Sequence, residues 1–245
     1  MRSTFRLFFS LLIDLYLLLN PINIRVMSIH QTNRLLNQGF SIIRFGDGEI
    51  ELLNGYGIHF QEFRDELRYN LQLIINSDVE KLIICLPDIF QSRKHLISQS
   101  KIYWNFHIFK NYFFYRRISS QFRIYGNSFF SRPYYIYQDK SKSKEYFVEF
   151  KNMIKGRRVF LFEGDHTYFA VGNDLLNSAI QVNRIICPSK NAFDYVEKIY
   201  DFETLFTEDS LIVLSLGPSA KVIGFRFHKN GYQVLDAGHL SLEYN

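Results

Sequence analysis

The chain has 245 residues, 47% hydrophobic and 22% charged, a globular balance that excludes a disordered chain and allows one large domain or two small ones. Its net charge of +5 comes without a dense Lys/Arg run. That suits an anionic small molecule or membrane surface and argues against nucleic acid as a partner.

Residues 5–19 are strongly apolar, broken by Arg6, Ser10 and Asp14, four apart, which would form one narrow polar stripe on a helix. The run falls short of the ~20 residues that span a bilayer, and it carries no small-residue cleavage site. Asn20-Pro21 ends it. Such a helix either makes peripheral contact with a membrane interface or a partner, or docks on the protein's own core. Residues 1–27 are therefore set apart as an apolar helical extension of a domain over 28–245.

A short helix is expected over Ser28–Asn37 and a strand over Ser41–Arg44. Gly46-Asp47-Gly48-Glu49 then breaks the strand. Gly46 and Gly48 permit backbone angles that a Cβ forbids and let a ligand approach the main chain. Asp47 and Glu49 supply paired hard oxygens of the kind that hold Mg²⁺ or Mn²⁺ with a substrate's phosphates. Arg44 adds a planar cation suited to phosphate. The strip reads as a metal–diphosphate site; the alternative is a surface turn with solvated acids.

Further on, helices are expected over 49–54 and 60–76 and a buried strand over Lys81–Leu86. The aromatic stretch 89–118, which holds Trp104, reads as helical. Its rings could stack on sugars, although such side chains more often form core. Phe122–Tyr125 and Tyr134–Tyr137 read as extended, flanking a loop in which Arg132 could reach phosphate. After a helix over 145–154 the pattern turns regular: strands at 158–162, 183–187, 210–216 and 232–236 alternate with helices at 171–179, 192–200 and 220–229. Alternation of this kind gives an α/β fold, a Rossmann-like, mostly parallel sheet with helices on both faces.

Ligands of such sheets bind beyond the carboxyl ends of the strands. Those ends carry Glu163-Gly-Asp-His-Thr167, Pro188-Ser-Lys-Asn191, Gly217-Pro-Ser219 and Asp236-Ala-Gly-His239. Helix starts rich in Gly, Ser and Asn offer backbone N–H groups to anions. Neither G-x-G-x-x-G after a strand nor a P-loop occurs, which disfavours a dinucleotide or P-loop site. Cys85 and Cys187 end apolar runs without zinc or CxxC spacing, so they read as buried, inert thiols, consistent with a reducing cytoplasm.

Arg44-Phe-Gly-Asp-Gly-Glu49, Gly172-Asn-Asp-Leu175, Pro188-Ser-Lys-Asn-Ala192, Leu216-Gly-Pro-Ser-Ala220 and Gly231-Tyr-Gln-Val-Leu-Asp236, with Gly238-His239 and Glu243-Tyr244, together resemble the bacterial GT-D glycosyltransferase family. The resemblance runs from about Ser28 to the C-terminus. It implies a GT-D type fold, a D-x-E motif, Mn²⁺ or Mg²⁺, a UDP-sugar donor and transfer of a hexose, glucose above all, to a hydroxyl of a growing surface glycan or glycoprotein glycan. On that resemblance Asp47 and Glu49 hold the metal. Arg44, Asn173, Asp174, Ser189, Lys190 and Asn191 line the donor pocket, joined by Gly46, Gly48 and Arg132 from the residue reading. Asp236, His239 and Glu243 lie where chemistry occurs, any one of them base, metal ligand or structural group. The chain departs from the family pattern at Thr167-Tyr168, where Ser-Arg is usual, and at Ser241, where an acid is usual. Two competing expectations are a catalytically weak nucleotide-sugar-binding or scaffold protein of a glycan-assembly complex, and a metal-dependent phosphohydrolase.

Overall fold

A computed structural model describes residues 2–121 and 123–244, with side chains from residue 5 onward. Eight strands form one sheet: β1 (Arg25–Val26), β2 (Ser41–Arg44), β3 (Leu82–Leu86), β4 (Ile124–Asn127), β5 (Arg158–Gly164), β6 (Gln181–Cys187), β7 (Ser210–Ser215) and β8 (Gln233–Asp236). Their spatial order is β1-β4-β3-β2-β8-β7-β5-β6, and every pairing is parallel. This is the expected α/β sheet.

Apolar side chains leave both faces, as a sheet covered on both sides requires. In β5, Val159 and Leu161 enter one core while Phe160 and Phe162 enter another. In β7, Leu211 and Val213 take the first direction and Ile212 and Leu214 the second. Helices α2 (Ile29–Asn37) and α7 (Ser143–Ile154) pack together over the first face. Helices α8 (Val196–Tyr200) and α9 (Ser219–Lys229) cover the second. A third core gathers α1 (Arg2–Leu19), α3 (Asp47–Leu53), α4 (Asp65–Ile75), α5 (Ser98–Lys110) and α6 (Tyr112–Ser119) around β2–β4. A short α10 (Leu240–Tyr244) ends the described chain.

Helix α1 docks through its polar stripe. Ser10, Ile13 and Leu17 are buried against the body. Asn105 Nδ2 donates to Ser10 Oγ at 2.9 Å, and Asp14 is paired with Arg93 at 2.8 Å and Lys101 at 2.7 Å.

Several elements differ from the sequence reading. The helix expected over 49–54 starts two residues earlier, with Asp47 opening α3, and neither Gly46 nor Gly48 adopts a positive φ. A helical first turn after a strand serves the same purpose, because its N–H groups are unpaired. The aromatic stretch becomes helical only from Ser98. The extended stretch at 122–125 is displaced to Ile124–Asn127, and Phe122 itself lies outside the described residues. Tyr134–Tyr137 forms no strand beyond a bridge from Tyr137 to Leu96.

The helix expected over 171–179 is absent. Tyr168, Ala170 and Gly172 hold positive φ, and the Asn173 side chain accepts the Leu175 N–H at 3.0 Å. Local turn chemistry thus overrides a weak helical period, while Phe169, Leu175 and Leu176 pin the segment to the core. The helix expected over 192–200 is split into a 3₁₀ turn at Ala192–Tyr195 followed by α8.

Candidate active site

Strands β2 and β8 come from opposite ends of the chain and pair at the centre of the sheet through Ile42 and Leu235. Their carboxyl ends set Arg44 beside Asp236. The Arg44 N–H donates to Asp236 Oδ2 at 3.1 Å, and its Nε donates to the Asp236 carbonyl at 2.9 Å. The guanidinium also reaches the Ser131 hydroxyl. Gly238, at φ +50°, passes so close that a Cβ there would overlap the Arg44 guanidinium. Only glycine allows both that backbone angle and that approach.

Lys221, in the first turn of α9, is 1% exposed. Its Nζ lies 2.9 Å from Glu49 Oε1, 2.9 Å from Asp236 Oδ2 and 3.0 Å from the Gly217 carbonyl. An ammonium has three donors, and all three are used. Glu49 is equally committed, since its Oε2 accepts the Gly46 N–H at 2.7 Å. Arg44, Lys221, Asp236 and Glu49 therefore form one buried network of two cations and two carboxylates. Sequence reasoning missed Lys221. The available signal was a cation in the first turn of a helix, where the macrodipole disfavours it.

Above this network opens a cavity of about 700 Å³. All four strand-end segments singled out in the sequence reach it, through Gly164, Thr167, Pro188, Ser189, Gly217, Gly238 and His239. So do Arg44, Gly46, Asp47, Gly48, Glu49 and Arg132. Phe60, Trp104 and Phe129 add apolar walls. Trp104 is both core and cavity wall, at 7% exposure.

The Asp47 carboxylate accepts a hydrogen bond from the Tyr103 hydroxyl. Burial and that carboxylate push the Tyr103 pKa up. Arg132 makes no side-chain hydrogen bond or ion pair among the described residues, so its charge is available to a ligand. The His239 ring is open to the cavity yet enclosed by its concave wall. That desolvation, with Arg132, Arg44 and Lys221 nearby, brings its pKa down to about 4, so the imidazole is neutral at pH 7.

The remaining sequence candidates lie elsewhere. Asn191, at φ 51°, accepts the Glu62 N–H at 2.7 Å and donates its own N–H to the Phe60 carbonyl at 2.9 Å. It holds the Phe60 loop against the cavity without lining it. Asp174 pairs with Lys151 and accepts from the Tyr244 hydroxyl. Asn173 turns onto its own backbone. Lys190 is exposed outside the cavity wall. Glu243 Oε2 accepts the Tyr134 and Tyr135 N–H groups at 3.2 and 2.7 Å and organises that loop instead of facing the cavity. Ser241, in place of an acid, lines the cavity and accepts the Ala170 N–H at 2.6 Å.

The donor set bears on a divalent cation. Asp47 sits at the cavity wall with a carboxylate suited to Mg²⁺ or Mn²⁺. Glu49 is neutralised by Lys221, so the pair is not a ready two-acid clamp. What is present fits a cation held by one protein carboxylate and a donor's phosphates, a common arrangement for Mg²⁺.

The profile of the glycosyltransferase GT-D fold family matches residues 42–245. The chain is 38% identical over 223 residues to the glycosyltransferase GlyD of Streptococcus pneumoniae serotype 4, covering 90% of this chain and 27% of that protein. It is 37% identical to the probable glycosyl transferase Gly of Streptococcus gordonii, covering 33% of it. The chain thus spans about a quarter to a third of these relatives' length. A solved structure described as the highly conserved domain of unknown function 1792, with a distinct glycosyltransferase fold, superimposes with a TM-score of 0.87 at 35% identity, over 91% of this chain and 81% of that one. A new glycosyltransferase from Streptococcus sanguinis superimposes with a TM-score of 0.85 at 35% identity, over 90% and 83%. With its site at the carboxyl ends of a parallel sheet and these matches along most of its length, the chain belongs to the GT-D fold glycosyltransferase family.

Proposed function

We propose that this glycosyltransferase moves a hexose, glucose foremost, from a UDP-sugar to a hydroxyl of a growing glycan, with Mn²⁺ or Mg²⁺ at Asp47. The observation that carries this reading is that Asp47 and Arg132, whose guanidinium has no ion pair among the described residues, both line one cavity of about 700 Å³. A cavity of this size suits a nucleotide sugar, and the two opposite charges suit a metal-bound diphosphate.

The acceptor oxygen attacks the anomeric carbon, the bond from that carbon to the diphosphate oxygen breaks, and UDP departs. Charge grows on the departing diphosphate, where Arg132 and the buried cations Arg44 and Lys221 act as fixed, preorganised counter-charges. Asp47 would hold a divalent cation, which would supply Lewis-acid neutralisation of the same group. Asp236 carries two cationic neighbours and a backbone donor, which suits it to anchoring the cations more than to taking a proton. His239, neutral and open to the cavity, is the better group to accept the hydroxyl proton. Glu49 positions Lys221, and the Phe60 face and Pro188 offer an apolar seat for the uracil ring.

A panel of UDP-sugars incubated with the purified protein, with and without Mn²⁺, tests this. Metal-dependent UDP release with one sugar is expected. Tight binding of UDP-sugar with no release, even with glycan acceptors supplied, would overturn the transferase mechanism in favour of a binding role.

A further inference from the structure

Helix α1 inverts the usual amphipathic arrangement: its polar stripe faces the protein and its apolar side faces out. Leu7, Leu11, Leu15, Leu19, Phe5 and Phe9 are all exposed, from 39% at Phe9 to 74% at Leu19. At about 100° per residue these six positions sweep an arc of roughly 200°. A neighbouring helix takes a stripe of about 100°, so a single helical partner would leave half of this face wet. A deformable apolar medium would cover all of it.

The apolar surface continues across the adjoining helices. Tyr16 packs edge-on against Phe109, with ring centroids 5.5 Å apart, and against Tyr112 at 5.6 Å. Phe109 is half exposed, and Phe113, one turn further along the chain, is 86% exposed. Helices α1, α5 and α6 contain a single acidic residue, Asp14, and it is turned inward onto Arg93 and Lys101. Exposed Arg116 and Arg117 flank the apolar face, and Arg116 is tied by a 3.3 Å hydrogen bond to the Pro21 carbonyl at the foot of α1. No helix among the described residues is long and apolar enough to cross a membrane.

We infer that α1 and α6 form a docking face for an anionic phospholipid surface, with α1 lying along the bilayer interface and Arg116 and Arg117 on the headgroups. Apolar burial and attraction to anionic lipid together produce such binding. The inference is independent of the donor and metal assignments.

Flotation of the full chain with phosphatidylcholine vesicles, alone or containing phosphatidylglycerol as the anionic lipid, tests it. The protein should float with the anionic vesicles, several-fold less with the neutral ones, and less as salt is raised. The double substitution Leu11→Glu with Leu15→Glu, and separately Phe113→Ser at a site too exposed to disturb folding, should each lower the floated fraction several-fold while circular dichroism stays unchanged. Failure to float with either vesicle would overturn the inference, as would variants that float like the parent. Equal flotation with neutral vesicles would overturn the headgroup assignment. A dimer in solution that the Leu11/Leu15 variant converts to monomer, without vesicle binding, would assign the face to a second copy of the chain instead.

Discussion

Lys221 Nζ stands 2.9 Å from Glu49 Oε1, with both residues buried and each the other's counter-charge. Half of the D-x-E motif is thereby tied to a lysine 172 positions later in the sequence, in the first turn of α9. Removing one member of a buried ion pair leaves the other uncompensated, at a cost of about 3–5 kcal/mol. Lys221→Met should therefore lower stability by that order in urea unfolding. Lys221→Met combined with Glu49→Gln should recover part of the loss, with an interaction energy of about 1–3 kcal/mol. Strictly additive effects would mean that the two groups are not coupled.

The two acids of the motif should separate experimentally. Asp47→Asn is expected to abolish metal-dependent UDP-sugar turnover with little change in melting temperature, because Asp47 sits at the cavity wall. Glu49→Gln should lower stability as well as turnover. Equal loss of Mn²⁺ affinity in both variants, read by titration calorimetry with UDP present, would restore the two-acid clamp.

Tyr103 donates its hydroxyl to Asp47 and so occupies an oxygen that a cation would use. Tyr103→Phe should tighten Mn²⁺ binding a few-fold, an effect of about 1 kcal/mol, typical of one hydrogen bond. Weaker binding in the variant would show that the phenol orients Asp47 for the metal.

Gly238 faces the Arg44 guanidinium at positive φ. Gly238→Ala combines backbone strain with a steric clash, and strain of this kind costs about 1–3 kcal/mol. Thermal unfolding should fall by several degrees, since 1 kcal/mol corresponds to roughly 2–4 °C in a chain of this size. Turnover should fall too, because Arg44 must move. An unchanged melting temperature would contradict the close approach.

Burial pushes the pKa of His107 and His228 down, and desolvation with neighbouring cations brings His239 to about 4. All three bind protons more readily in the unfolded chain than in the folded one. Their contribution to stability is thus whole above the unfolded value of about 6.5 and is lost as pH falls below it. Melting temperature should drop progressively from pH 7.5 to 5.5. The acid limb of kcat/KM, which reports the free enzyme, should lie well below 6.5 if His239 is the base. A limb at 6.5 that survives His239→Gln would assign proton transfer elsewhere.

The sequence by itself determined the parallel sheet and the rim that carries the site. Unbroken apolar runs such as Val159–Phe162 and Leu211–Leu214, separated by helical stretches, leave few other architectures, because each run must be covered on both faces. The same logic placed Asp47, Ser189, Gly217 and His239 on one edge before any contact was known, since turn residues after parallel strands must gather at the carboxyl rim. Local chemistry was harder to read at 171–179, where successive positive φ values break a helical period.

Only the tertiary structure decided which charges pair. That Lys221 neutralises Glu49 and Asp236, that Glu243 serves a loop backbone and that Asn191 latches the Phe60 loop depend on contacts between residues far apart in sequence. The strength of an ionic contact depends on separation and on exclusion of water, and neither is encoded in spacing along the chain. The same holds for α1. Its polar stripe was visible in the sequence, but the direction that stripe faces was set by Arg93, Lys101 and Asn105 waiting on the body of the protein.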